Sequence, residues 1–135
     1  MPWPKSSLLF NYCADENEYG LIFELRLVVI LISKYLVPKG YLGMTVFPFM
    51  FLKHKRLKWN KVLVNHEKIH LRQQIELLIV PFFMIYGFEF LVRWLQYKEW
   101  KLAYRNMSFE REAYENEKDL DYLDSRSFWE FINYF

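Results

Sequence analysis

Hydrophobic positions recur at helical spacing in several parts of the chain, and one short stretch carries a β-like pattern instead. Over residues 21–36, Ile22, Leu25, Val29, Ile32 and Leu36 keep a helical period, and Pro38 with Gly40 ends the run. A helix is predicted there, although the unbroken Val28 to Ile32 stretch also fits a buried strand. GMTVFPFMFLK, residues 43–53, is β-branched and aromatic between a glycine and basic residues, and predicts a strand. Pro48 cannot donate to a ladder, which places that strand at a sheet edge.

KHKRLKWNK, 53–61, reads as a basic turn, with Asn60 as the cap of the helix that follows. That helix begins near residue 61 and runs into IELLIVPFFMIYGFEFLVRWL, where Pro81 kinks or divides it. A further aromatic helix is expected over about 82–102. SFEREAYENEKDLDYL, 108–123, predicts an acidic helix opened by Ser108, with Phe109, Ala113, Leu120 and Leu123 along one face. The pattern gives a loose lead-in over 1–20 and a single domain over 21–135. Its class is mainly α (α+β), with a short β edge ahead of the histidine-bearing helix.

Length and composition narrow this picture only in places. At 135 residues the chain can bury a core of its own. The single Cys13 excludes an internal disulfide and any Cys-based zinc site, and fits a reducing compartment such as the cytoplasm. A formal charge of +2 implies no polyanionic partner, and the acidic 110–124 segment offsets the basic turn, so no nucleic acid is expected. The opening MPWPKSSLLFNYCADENEYG places acids before the first long apolar run, the reverse of a signal peptide. Between residues 75 and 95 only Leu77 to Phe88 is free of charge, which favours a buried or interfacial helix over a bilayer span. The high aromatic share and the basic KHKRLKWNK turn are compatible with peripheral membrane association.

The candidate chemistry lies in VNHEKIHLRQQIELL, 64–78. On a helix, His66 and His70 share one face with Cβ atoms about 5–6 Å apart, so both imidazoles can reach one ion. Glu67 sits about 100° round from His66, placed to take a proton from an ion-bound water rather than to bind the ion. The competing explanation is a solvated polar face. A catalytic zinc needs a third protein ligand. His54 stands alone in the basic turn, whereas any of Glu110, Glu112, Glu115 or Glu117 could serve on chemistry alone. Glu110 and Glu117 share a face with Ala113, and Glu112 lies about 200° from Glu110.

HEKIH followed by EREAY resembles the gluzincin zinc peptidases, whose first helix carries His-Glu-x-x-His and whose second supplies a glutamate ligand. In the CAAX-prenyl-protease group the second motif reads Glu-x-x-Ala-Asp. Glu110 and Ala113 match it, and Tyr114 replaces the aspartate. The resemblance implies a zincin-like helical domain, Zn²⁺ held by His66, His70 and Glu110, and Glu67 as general base. Residues 33–135 also resemble a group of short, uncharacterised bacterial proteins of this layout.

The function these features lead us to expect is a minimal zinc metallopeptidase acting on a peptide or protein substrate aligned along the strand edge. Tyr104 and Arg105 are candidates to support the ligands. The aromatic tail is expected to fold over the site and hold it latent. The alternative is a non-catalytic, zinc-stabilised binding or regulatory module at a membrane surface.

Overall fold

The computed structural model describes residues 27–135. The lead-in, together with Ile22 and Leu25 of the first predicted helix, lies outside the described residues. What is described is mainly helical with β structure ahead of the helices, as predicted, and the β part is a three-stranded sheet rather than a single edge strand.

The helix expected over 21–36 is corrected where it is described: Val29–Ile32 is strand β1, parallel to a strand at Phe49–Leu52. Three of its four residues are β-branched, which lose side-chain freedom in a helix and suit a pleated surface. The single strand expected over 43–53 is also corrected, because it is a hairpin. β2, Gly43–Val46, runs antiparallel to β3, Phe49–Leu52, and the two join through a cis Phe47–Pro48 bond. Pro48 therefore occupies a turn, where its missing donor breaks no ladder. The order β1-β3-β2 leaves β2 at the edge and puts β3 in the centre. The turn is fastened from the helix below, as Phe47 N donates to Gln74 Oε1 (2.8 Å) and Gln74 Nε2 donates to the Thr45 carbonyl (3.0 Å).

Asn60 caps the next helix as predicted, its Oδ1 accepting from Leu63 N at 3.1 Å, and α1 runs Lys61–Glu76. The break after α1 falls at Leu77 and Leu78, with Leu78 at φ 62°, rather than at Pro81. Pro81 is the third residue of α2, Ile79–Tyr97, where an amide proton would have no acceptor within the helix. The helix expected over 82–102 is thus two: α2 ends at a left-handed Lys98, and α3 spans Trp100–Arg105. α4, Ser108–Asn116, is shorter than its predicted range, and α5 is a single turn at Tyr122–Ser125. Short 3-10 turns occupy Lys55–Trp59 and Glu130–Tyr134.

Two apolar clusters hold these elements together. Met50, Leu52 and Leu71 join the sheet to α1, while Phe82, Phe109 and Phe131 join α2, α4 and the C-terminal segment. Phe109 and Ala113 face this interior as expected, but Leu120 is exposed because α4 ends before it.

α4 is tethered at both ends by side chains from other helices. Ser108 is not the cap predicted for it: its N–H donates to Glu89 Oε1 and its hydroxyl to Glu89 Oε2, both at 2.7 Å. A carboxylate there satisfies an orphan amide and opposes the positive end of the helix dipole. At the other end, Asn65 Nδ2 reaches the carbonyls of Asn116 (3.4 Å), Glu117 (3.1 Å) and Asp119 (2.8 Å). Glu89→Ala is expected to destabilise the protein by about 2 kcal/mol, the value of charged hydrogen bonds lost from a buried donor. Urea denaturation measures this, and a loss below about 0.5 kcal/mol would show that Glu89 does not hold the helix.

Candidate metal centre

The buried face of α1 is polar: Asn65, His66, Glu67, His70, Gln73 and Gln74 all point inward. This rules out the solvated-face alternative and explains why apolar periodicity along HEKIHLRQQ is weak. Burial of so many polar groups requires partners for each.

His66 and His70, one turn apart on α1, bring their Nε2 atoms to 3.1 Å. Glu110, in the first turn of α4, places Oε1 3.3 Å from His70 Nε2 and Oε2 3.6 Å from His66 Nε2. Tetrahedral bonds of about 2.0–2.1 Å hold ligand atoms about 3.3–3.4 Å apart, close to these separations, although the two imidazoles meet different oxygens of the carboxylate. Among the described residues this is the one His/Cys/Asp/Glu group close enough to hold an ion.

The hydrogen bonds around the group fix where the protons are. Gln73 Nε2 donates to the Phe109 carbonyl (3.1 Å) and to Glu112 Oε2 (2.9 Å), which orients its Oε1 toward His70 Nδ1 at 2.9 Å. A carbonyl oxygen only accepts, so His70 Nδ1 is the donor. His66 Nδ1 likewise donates to Glu117 Oε2 at 2.9 Å. In their neutral forms both imidazoles then direct Nε2 lone pairs at each other and at a carboxylate. Glu110 Oε1 accepts from Tyr86 Oη (2.7 Å), while the buried Oε2 has no hydrogen-bond partner. Three electron-pair donors converging out of water repel one another unless a cation sits among them.

Without an ion the group draws a proton instead, so an ion and a proton compete for the same place. Burial alone would lower His70, but the Glu110 carboxylate, with Glu67 and Gln73, outweighs it and brings the imidazole up to about 9. Burial would raise Glu110, yet His70 and His66 hold its carboxyl well below the usual carboxylate range. Burial pushes Glu67 up against the pull of His70 and His66, and the Glu110 charge adds to the rise.

Glu67 stands beside the group without joining it. Its space exists because residue 43 is glycine: a Cβ there would lie 2.6 Å from Glu67 Oε1. Glu67, His70 and Glu110 form the polar side of a cavity of about 400 Å³, walled otherwise by aromatic and apolar residues such as Phe82, Phe83, Phe90 and Trp100. The edge strand supplies another wall through Gly43, Met44 and Thr45. Thr45 turns its carbonyl away from β3 to the buried Gln74, and the two-residue period of a strand turns the Gly43 main chain the same way, beside Glu67.

The other candidates separate cleanly. Glu115 and His54 are exposed. Glu112 is buried on the far side, clamped by Arg126 and Tyr122. Tyr114 takes no ligand role, since its ring meets His66 edge to face at 4.7 Å with Arg105 stacked 4.5 Å from its centroid. Tyr104 lines the cavity near Glu110. Gln73, Tyr86, Gly43 and the supporting role of Glu117 were not anticipated. The only sequence signal was spacing, Gln73 three residues after His70 and Glu117 two turns after Glu110.

The tail does not cover the cavity, which corrects the expectation of a latent site. Phe131 stacks on Phe109, Arg111 Nη1 donates to the Tyr134 carbonyl (2.8 Å), and Arg126 lies buried between Glu76 and Glu112. The segment is structural: it packs with Phe82 and Phe109 behind the cavity wall, and none of its residues lines the cavity.

The chain matches no family model, no curated protein and no solved structure.

Proposed function

We propose that the protein is a zinc-dependent hydrolase, a minimal metallopeptidase of gluzincin type. The observation that carries this reading is the convergence of His66 Nε2, His70 Nε2 and Glu110 at near-tetrahedral spacing, with both Nδ1 protons given to other partners. Two imidazoles and a carboxylate are a donor set that suits zinc. Zinc held there would acidify a bound water and polarise a substrate carbonyl.

The chain's own residues supply the rest. Glu67, raised by burial and adjacent to the ligands, is placed to accept a proton and return it to a leaving amine. Glu117 and Gln73 hold the imidazoles in the tautomer that ligation needs, and Tyr86 steadies one oxygen of Glu110. The Gly43 end of the β2 edge is where an extended peptide would pair, since Gln74 already occupies the edge at Thr45 and Phe47, and the aromatic cavity offers room for an apolar side chain. Hydrolysis is favoured over a purely structural ion because three of these residues, Glu67 included, face the cavity. No fourth ligand completes the group among the described residues.

The test joins metal analysis to one substitution. Purified protein should carry about one zinc per chain, and Glu67→Gln should keep it while hydrolysis of a denatured-protein substrate falls about 10²–10⁴-fold. Wild-type protein that binds no zinc, or an unchanged rate in Glu67→Gln, would overturn the proposal.

A further inference from the structure

α2 is built inside out for a helix in water. Its 18-residue apolar window is only 11% buried, too little for a core helix. Its two charged residues turn inward: Glu89 is buried against Ser108, and Arg93 lies 3.6 Å from Glu89. The outward stripe instead carries Val80 (69% exposed), Met84 (70%), Phe88 (69%), Leu91 (47%) and Leu95 (65%). These positions share one helical face and extend about 22 Å without a charge. Soluble monomers rarely show contiguous apolar patches of this kind without a partner.

The border of the stripe indicates which partner. At its C-terminal end Trp94, Tyr97 and Trp100 are exposed beside Lys98 and Lys101. The loop after β1 adjoins this end through Tyr41, whose hydroxyl accepts from Trp100 Nε1 at 3.4 Å, and it carries exposed Lys34 and Lys39. Tryptophan and tyrosine with lysine at the edge of an apolar surface match the headgroup zone, where rings lie at the interface and ammonium groups meet phosphate. A second copy of the chain would cover the stripe, but tryptophan and tyrosine beside lysine along its edge favour the lipid headgroup zone.

We infer that the outer face of α2 is a membrane-docking surface, lying in the plane of an anionic bilayer with its apolar stripe at the acyl boundary. This goes beyond the proposed hydrolase and needs neither the metal nor Glu67. The experiment is flotation of the full-length protein, with chelator present, on vesicles of phosphatidylcholine alone and with 30% phosphatidylglycerol.

Binding to the anionic vesicles should exceed binding to neutral ones by about tenfold and fall with salt. Met84→Asp with Phe88→Asp should reduce the bound fraction at least tenfold while leaving the circular dichroism spectrum unchanged. Lys98→Glu with Lys101→Glu should remove the preference for anionic lipid. Protein that stays unbound on both vesicle types overturns the inference. So does binding that Met84→Asp with Phe88→Asp leaves intact, or a soluble dimer that the same pair dissociates.

Discussion

Glu110→Gln should release the metal. The substitution keeps shape and an oxygen able to accept from Tyr86, but replaces the one anionic member of a three-donor group with an amide. Hydrolysis should drop to background, and zinc content should fall from about one per chain to near zero at micromolar metal. Stability should follow, because an ion that binds only the folded state stabilises by about 4 kcal/mol at a thousandfold excess over its dissociation constant. For a chain of this size that corresponds to a melting point about 10–20 °C lower than zinc-loaded wild type. Differential scanning calorimetry with and without chelator reads it directly. A variant that retains stoichiometric zinc would remove Glu110 from the centre.

Arg126→Met should be the most destabilising single change away from the cavity. The Arg126 side chain is 1% exposed and lies between Glu76 at 1% and Glu112 at 0%. Its Nε and Nη2 grip Glu112, and Nη1 reaches Glu76. Methionine fills similar space but leaves Glu112 out of water without a counter-charge and Glu76 with Arg72 as its remaining cation, which destabilises by about 3–5 kcal/mol. Urea denaturation should show this as a shifted midpoint with little change in slope. A second effect follows from connectivity: Glu112 holds Gln73, and Gln73 holds His70. Loosening that relay should weaken zinc binding about 10–100-fold in competition with a chelator. A stability loss under about 1 kcal/mol would mean that the two carboxylates have other means of compensation.

The features legible in the sequence were those set by local chemistry. Asn60 announces a helix start because its side chain answers an amide three residues on, and the His-Glu-x-x-His spacing states a shared face whatever surrounds it. The hairpin was hidden because VFPFMFL gives a continuous apolar signal, in which a proline reads as an edge before it reads as a turn. The Val29–Ile32 strand was obscured for a related reason, since an unbroken aliphatic run has no period with which to choose between strand and helix.

Within the site, Glu110 was reached by resemblance and Glu67 by its position. Gln73, Gln74 and Asn65 escaped notice because an uncharged amide on a helix looks wet until a partner from elsewhere in the chain buries it. Such partners, 27 to 54 residues away, belong to tertiary structure and leave no local trace.

The double tethering of α4 has a consequence for how the centre behaves when no ion is present. A nine-residue helix gripped at its first turn by Glu89 and at its last carbonyls by Asn65 can neither spin about its axis nor slide along it. Glu110 is therefore as immobile as the two histidines, despite 40 residues of intervening chain. On the proposed reading, ion capture would demand no rearrangement of the backbone, and the lock is cut before the key arrives.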